Sequence, residues 1–307
     1  MSAVVHWDDV EGYRREAGHI AGTWRDLGTA AGSVRTGVKR IDVDPGKWST
    51  PAHEEAAEEE IFFVLRGSGI SWQDGRVYDV RAGDCLVHRM LEGTHTLRAG
   101  EEGLDVLAFG ERSPGVGARL PRARVNWLGN EWIDLPGGAH PFEREAAVGA
   151  PDVGEVLERP ASIVNVADLE GEREERGTVD AVERQLGASA GSARTGLNHL
   201  GIAPGKLSCP PHCHSAEEEI FVVLDGGGEL WLGDDRHPVR PGEVVARPAG
   251  TRVAHAFSAG EEGLTLLAYG QRDPNDIAYY PRSGKINFRG VGVIGRLEPL
   301  DYWEGEE

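Results

Sequence analysis

The chain writes one domain twice. An offset of 159 residues lays Asp9–Lys47 over Asp168–Lys206 without a gap. The same offset lays Pro45–Gly69 over Pro204–Gly228, with 16 of 25 positions identical. Past "VRAGDCLVHRM" and "VRPGEVVARPA" one extra residue moves the offset to 160, so His95 answers to His255. A period this long is no solenoid unit, and 307 residues leave room for two domains of ordinary size. The junction is expected in "PGGAHPFEREAAVGAPDVGE", Pro136–Glu155, where glycine, proline and charge concentrate, giving domains 1–145 and 146–307.

Each copy breaks into short apolar runs such as "IFVVL", "GELWLG" and "GLTLLAYG", set about ten residues apart between glycines and prolines. That rhythm predicts an antiparallel sandwich or barrel. Glu170–Gly187, "EGEREERGTVDAVERQLG", is expected to hold one short helix. There is no alternation of strands and helices, no glycine-rich phosphate loop and no heptad repeat.

Lys and Arg number 32 against 51 Asp and Glu, a formal net charge of −19. Such a surface repels phosphate backbones and anionic lipid, so neither nucleic acid nor membrane is expected as a partner. Cys85, Cys209 and Cys213 are too few for a disulfide framework. Cys209 and Cys213 lie about 13 Å apart in an extended chain, too far to bridge. With no stretch of signal-peptide or membrane-spanning character, a cytoplasmic protein is expected.

The chemistry concentrates in "PPHCHSAEEEIFVVLDGGG", Pro210–Gly228. In an extended strand, His212 and His214 project from one face about 7 Å apart, and Cys213 turns away. Two imidazoles so placed meet at one ion with bonds of about 2.1 Å. One of Glu217–Glu219 and His255 are the further candidates. Three imidazoles and a carboxylate suit a divalent transition metal, with positions left for substrate.

These residues resemble the cupin superfamily, whose motifs read G-x5-H-x-H-x(3,4)-E-x6-G and G-x5-P-x-G-x2-H-x3-N. The second copy carries Gly205, His212, His214, Glu219 and Gly226, then Gly242, Pro248, Gly250 and His255. Six residues rather than five precede His212, four rather than two separate Gly250 from His255, and the closing asparagine is missing. The first copy keeps Gly46, His53, Glu60, Gly67, Gly83 and His95, but Glu55 stands in place of His214 and Arg89 in place of Pro248. Either Glu55 still ligates there, or that copy has lost its metal.

The resemblance implies an all-β bicupin of two jelly-roll (double-stranded β-helix) barrels in tandem. It implies metal ligands His212, His214, Glu219 and His255 in the second barrel, and His53, Glu55, Glu60 and His95 in the first. The expected cofactor is iron, manganese, zinc or nickel, the substrate a small polar molecule, and the assembly a homodimer. An iron- or manganese-dependent dioxygenase is the expected activity. The alternatives are a redox-neutral metal-dependent isomerase or hydrolase, and a non-enzymatic cupin that binds a small ligand.

The remaining features read as structure. His6, His19, His88, His140, His199 and His237 occupy no ligand position. The glutamate runs 58–60 and 217–219 are expected to be solvated apart from one inward residue each. Trp48, Phe62, Trp72, Leu207, Phe221 and Trp231 are expected in the core. Arg35 and Arg194, with Arg122 and Arg282, are expected to hold structural ion pairs rather than a substrate carboxylate. The tail from Ala278 is expected to pack on a barrel or on a dimer partner.

Overall fold

The computed structural model describes residues 4–112, 117–128, 131–134 and 139–306. Two large antiparallel sheets dominate, one for each copy of the repeat. In the first, neighbouring strands are Asp84–His88, Glu60–Gln73, His95–Glu111, Thr36–Val43, Ile20–Asp26 and Tyr13–Ala17. In the second they are Glu243–Arg247, Glu219–Leu232, His255–Gln271, Thr195–Ile202, Val179–Arg184 and Glu172–Arg176. Each copy also carries a small four-stranded sheet, which begins at Glu54–Glu55 in the first and at Cys213–His214 in the second.

The two sheets exchange edge strands. Val4–His6, at the start of the chain, pairs with Glu243–Arg247 of the second barrel. Ile163–Asn165, at the start of the second copy, pairs with Asp84–His88 of the first. One edge of each large sheet is thereby capped by the other copy.

Strand parity explains why the central strands are apolar on successive residues over Ile61–Leu65 and Ile220–Leu224. Phe62 and Val64 face the interior of the first barrel with Leu86, Leu97 and Val106. Phe221 and Val223 do the same in the second with Val245 and Leu266. The intervening Ile61, Phe63, Ile220 and Val222 meet in a separate core between the barrels, with Phe109 and Tyr269. The two motif glycines where the long strands cross cannot be replaced. Gly67 and Gly226 adopt positive φ (83° and 74°), and a Cβ there would lie 2.3 and 2.2 Å from the carbonyl oxygens of Gly103 and Gly263.

The glutamate runs are not solvated. Glu59 is buried at the interface of the barrels, where it accepts from the backbone N–H groups of Ala193, Arg194 and Thr195 and from Ser192 Oγ. Glu218 reciprocates, accepting from the N–H groups of Val34, Arg35 and Thr36 and from Thr36 Oγ1. Glu59 and Glu218 share parity with Ile61 and Ile220 and so point at the opposite barrel. Glu60 and Glu219 share parity with Phe62 and Phe221 and point inward.

Glu170–Gly187 is chiefly a hairpin, Glu172–Arg176 paired with Val179–Arg184, and a four-residue helix begins only at Leu186. Gly177, at φ 60°, makes the turn that a helix would have to cross. A helix also spans Pro141–Val148, across the expected junction, of which residues 136–138 lie outside the described residues. Its Glu145 is buried and pairs with Arg122. We propose that the first domain runs on through this helix and that the division falls after it. The tail forms a meander, Ile277–Tyr280, Lys285–Phe288 and Val293–Arg296, hydrogen-bonded to Cys213–His214, and beyond it Leu300, Tyr302 and Trp303 are exposed. No helix among the described residues is long and apolar enough to cross a membrane.

Candidate metal centres

The second barrel brings His212, Glu219 and His255 into one cluster, with His214 joining it through Glu219. His212 and His255 form an antiparallel bridge, which fixes their rings side by side. His212 Nδ1 lies 3.0 Å from the Pro210 carbonyl oxygen, which can only accept, so the proton sits on Nδ1 and the Nε2 lone pair is free. Glu219 Oε2 is 3.0 Å from His255 Nε2 and 3.4 Å from His214 Nε2. Donor atoms of His212, Glu219 and His255 all lie within 4.8 Å of one another. Two donors bonded to one ion at about 2.1 Å and set roughly 90–110° apart stand about 3.0–3.4 Å from each other.

Two atoms of this cluster, His214 Nε2 and Glu219 Oε2, are buried without a hydrogen-bond partner. Buried polar atoms are seldom left so, and a shared cation would satisfy both. Burial pulls His255 down to about 4, which keeps its lone pair available at neutral pH. Burial would push Glu219 up, but its interactions with His255, above all, and with His214 and His212 outweigh it and hold the carboxylate well below its usual range. The donor set therefore fits a divalent transition metal.

Asp276 is the residue that the sequence did not reveal. Its Oδ2 lies 2.6 Å from His214 Nδ1, and its other oxygen accepts from the N–H groups of Ala216 and Glu217. The bond aims His214 Nε2 at Glu219, as outer carboxylates do for metal-bound imidazoles. Glu217 lies 3.8 Å from the same Nδ1, ion-pairs with Arg289, and is pushed up to about 7, chiefly by burial. No motif spacing marks Asp276, which is brought in by the tail meander.

The first barrel assembles His53, Glu60 and His95 in the same way. His53 Nδ1 lies 2.9 Å from the Pro51 carbonyl, and Glu60 Oε2 lies 2.9 Å from His95 Nε2 and 3.3 Å from His53 Nε2. Glu55 is buried and faces in, 3.4 Å from His53 Nε2. Burial opposes a charge on His53, yet the hydrogen bonds and charges of Glu55 and Glu60 hold its pKa well above the ordinary value. A proton on His53 thus bridges its two carboxylates, while His95 Nδ1 and His88 Nε2 are buried without a hydrogen-bond partner.

His88, read from sequence as a plain structural histidine, stacks on His95 with ring centres 3.7 Å apart and planes within 3°. It sits directly across from Glu60, as Arg247 sits across from Glu219. Both were findable: each is a titratable residue that ends a strand after three apolar residues, opposite a ligand carboxylate. Phe62 and Phe221 are core residues whose rings also abut His95 and His255. Trp231 is only half-buried, between Arg236 and Arg282. Arg35 and Arg194 hold the barrels together, on the Ala216 carbonyl and on Glu111. The cysteines are unpaired, and Cys209 Sγ lies 3.7 Å from His212 Nδ1.

A family profile described as the cupin domain matches twice, over residues 39–101 and 198–269. Each match contains one half of the fold and one of the two clusters. The chain is a two-domain cupin. Among solved structures, this bicupin is similar to oxalate decarboxylase from Bacillus subtilis at pH 4.6, with a TM-score of 0.60 and 18% identity over 89% of this chain and 77% of that one. It is similar also to the formate complex of Lactobacillus farciminis oxalate decarboxylase, with a TM-score of 0.58 and 15% identity over 91% and 88%. Identities this low establish the shared bicupin architecture. Comparison with curated protein sequences gives no match.

Proposed function

We propose that the bicupin is a metalloenzyme whose working site is the second barrel, with His212, His214, Glu219 and His255 holding a divalent transition metal. The observation that carries this reading is the pair of buried, unpartnered donor atoms, His214 Nε2 and Glu219 Oε2, aimed at each other across 3.4 Å. The metal supplies Lewis acidity or one-electron chemistry to an oxygen-bearing substrate. The chain's own part is to present the three imidazoles, to hold His214 in one orientation through Asp276, and to keep bulk water out with the Phe221 and Phe257 side of the barrel.

The activity we propose is that of an iron- or manganese-dependent dioxygenase, supported by the three-histidine, one-carboxylate donor set. A redox-neutral reaction on manganese is the second reading, supported by the unpaired buried arginine beside the cluster and by similarity in shape to a Bacillus subtilis oxalate decarboxylase with Mn(II) centres. Elemental analysis of protein purified without chelator tests the metal. A four-ligand site is worth about 10–16 kcal/mol, so removing two ligands should all but abolish binding. His212→Ala/His214→Ala should therefore lose the second barrel's metal, and unchanged stoichiometry would refute the assignment. Oxygen uptake with candidate phenols then separates the two readings: uptake by the iron- or manganese-loaded protein supports the dioxygenase, and its absence leaves the redox-neutral enzyme.

A further inference from the structure

Arg247 ends the strand Glu243–Arg247 directly opposite Glu219. Residues opposed in an antiparallel pair share a face, and two residues back Val245 lies in the interior core of the second barrel opposite Phe221. The guanidinium therefore enters the barrel on the side of the metal ligands. It is 4% exposed. One terminal nitrogen donates to the Val253 carbonyl at 2.7 Å and to Thr251 Oγ1 at 3.3 Å, which ties it to the loop leading into His255. Its Nε–H is buried without an acceptor, and among the described residues no carboxylate oxygen lies within 4.0 Å of it.

A buried cation without an ion-pair partner is expensive, and one placed beside a site for a dication also repels the metal. Burial works against its charge, and the opposing influences are Glu219, which also faces the cluster's histidines, and Cys213. The arrangement becomes favourable when an anion lies between the guanidinium and the ion. In the first barrel the same position is His88, stacked on His95, so the cation belongs to the second site alone.

We propose that Arg247 is the anion-recognition residue of the second barrel, and that this site takes a small organic anion, such as a hydroxy or keto acid, with one oxygen at the metal and its carboxylate on Arg247. The proposal rests on the metalloenzyme reading above and deepens it. Arginine suits the task because its planar donors match a carboxylate edge and its charge survives burial.

The test compares glycolate with its neutral analogue glycolamide on full-length, Mn(II)-loaded protein, by calorimetry and by the Mn(II) resonance spectrum. Wild type should bind glycolate at least tenfold more tightly than glycolamide. Arg247→Met should erase that preference while retaining its metal, and Arg247→Lys should restore part of it. An equal preference in wild type and Arg247→Met overturns the proposal, as does a wild type that favours neither ligand. Should Arg247→Met unfold, Arg247→Lys and Arg247→Gln decide by the same ratio. If elemental analysis finds no metal in the second barrel, the metalloenzyme reading fails, and the same anion-to-amide ratio on metal-free protein still decides the role of Arg247.

Discussion

The two barrels share a backbone and differ in how their inward clusters are satisfied. In the first, Glu60 is hydrogen-bonded to both His53 and His95, and Glu55 adds a second carboxylate, so a proton held on His53 sits between two carboxylates and the unpartnered atoms are ring nitrogens, His95 Nδ1 and His88 Nε2. In the second, His214 replaces that carboxylate, Asp276 orients it, Arg247 adds a buried positive charge, and two donor atoms are left unpartnered. Fold and ligand scaffold are therefore held constant while a histidine replaces a glutamate at one inward position and its surroundings change with it. On the function proposed above, the first barrel's second carboxylate would favour protons or a harder cation, and the second barrel's imidazoles a softer metal.

What the barrels have in common also ties them together, and that is where the largest effect is expected. Glu59 and Glu218 each receive the N–H groups of a loop in the other barrel. Glu59→Ala orphans three backbone donors and two hydroxyls in a buried interface and should cost about 3–5 kcal/mol, the range for breaking a buried charged contact. Glu218→Ala should cost a similar amount, because its contacts mirror these. Urea unfolding measures both, and a loss under about 1 kcal/mol for either would show that the exchange is not a structural clamp. Burial would raise the pKa of Glu59, but the donated hydrogen bonds win and hold it below the ordinary value of 4.5. A depressed folded-state pKa gives stability that is present above pH 4.5 and lost as pH falls through the folded value, so the gap between wild type and Glu59→Gln should narrow in acid.

How much of this could be read in the sequence follows from what each feature depends on. The repeat, the barrels and the inward ligands depend on alternation and spacing, which the letters carry directly: His212, Glu219 and His255 lie together as their periodicity requires. The middle glutamate of each run looked like solvent-facing charge because its partners are backbone N–H groups 134 to 136 residues from Glu59 and 182 to 184 from Glu218, which no local pattern encodes. The exchanged edge strands escaped for the same reason. Asp276 escaped because it arrives from the tail meander, without a counterpart in a described position of the first copy.

Asp276 supplies the next test of the contrast. Asp276→Asn removes the charge that polarises His214 while keeping the side chain's shape, and should weaken metal binding in the second barrel by about 10–100-fold. The first barrel, whose corresponding ligand is a carboxylate that needs no tautomer fixed, should be unaffected. A competition titration with a chelating dye resolves the two sites, and equal weakening in both would mean that Asp276 supports the fold rather than the imidazole.

The smallest expected effect probes the exchange itself. Glu55→His gives the first barrel the donor types of the second, yet brings neither an Asp276 to orient the new ring nor an Arg247 beside it. The gain in zinc affinity should therefore stop at about tenfold, roughly 1.4 kcal/mol. The change should also be visible on the protons. With one carboxylate gone, His53 loses a partner that holds its pKa up, so its titration, followed by NMR of the ring protons, should move down, and metal binding near neutral pH should release fewer protons than in wild type. A His53 titration that stays where it was would mean that Glu60 alone sets it, and that the difference between the barrels lies in Arg247 and His88 rather than in the exchanged ligand.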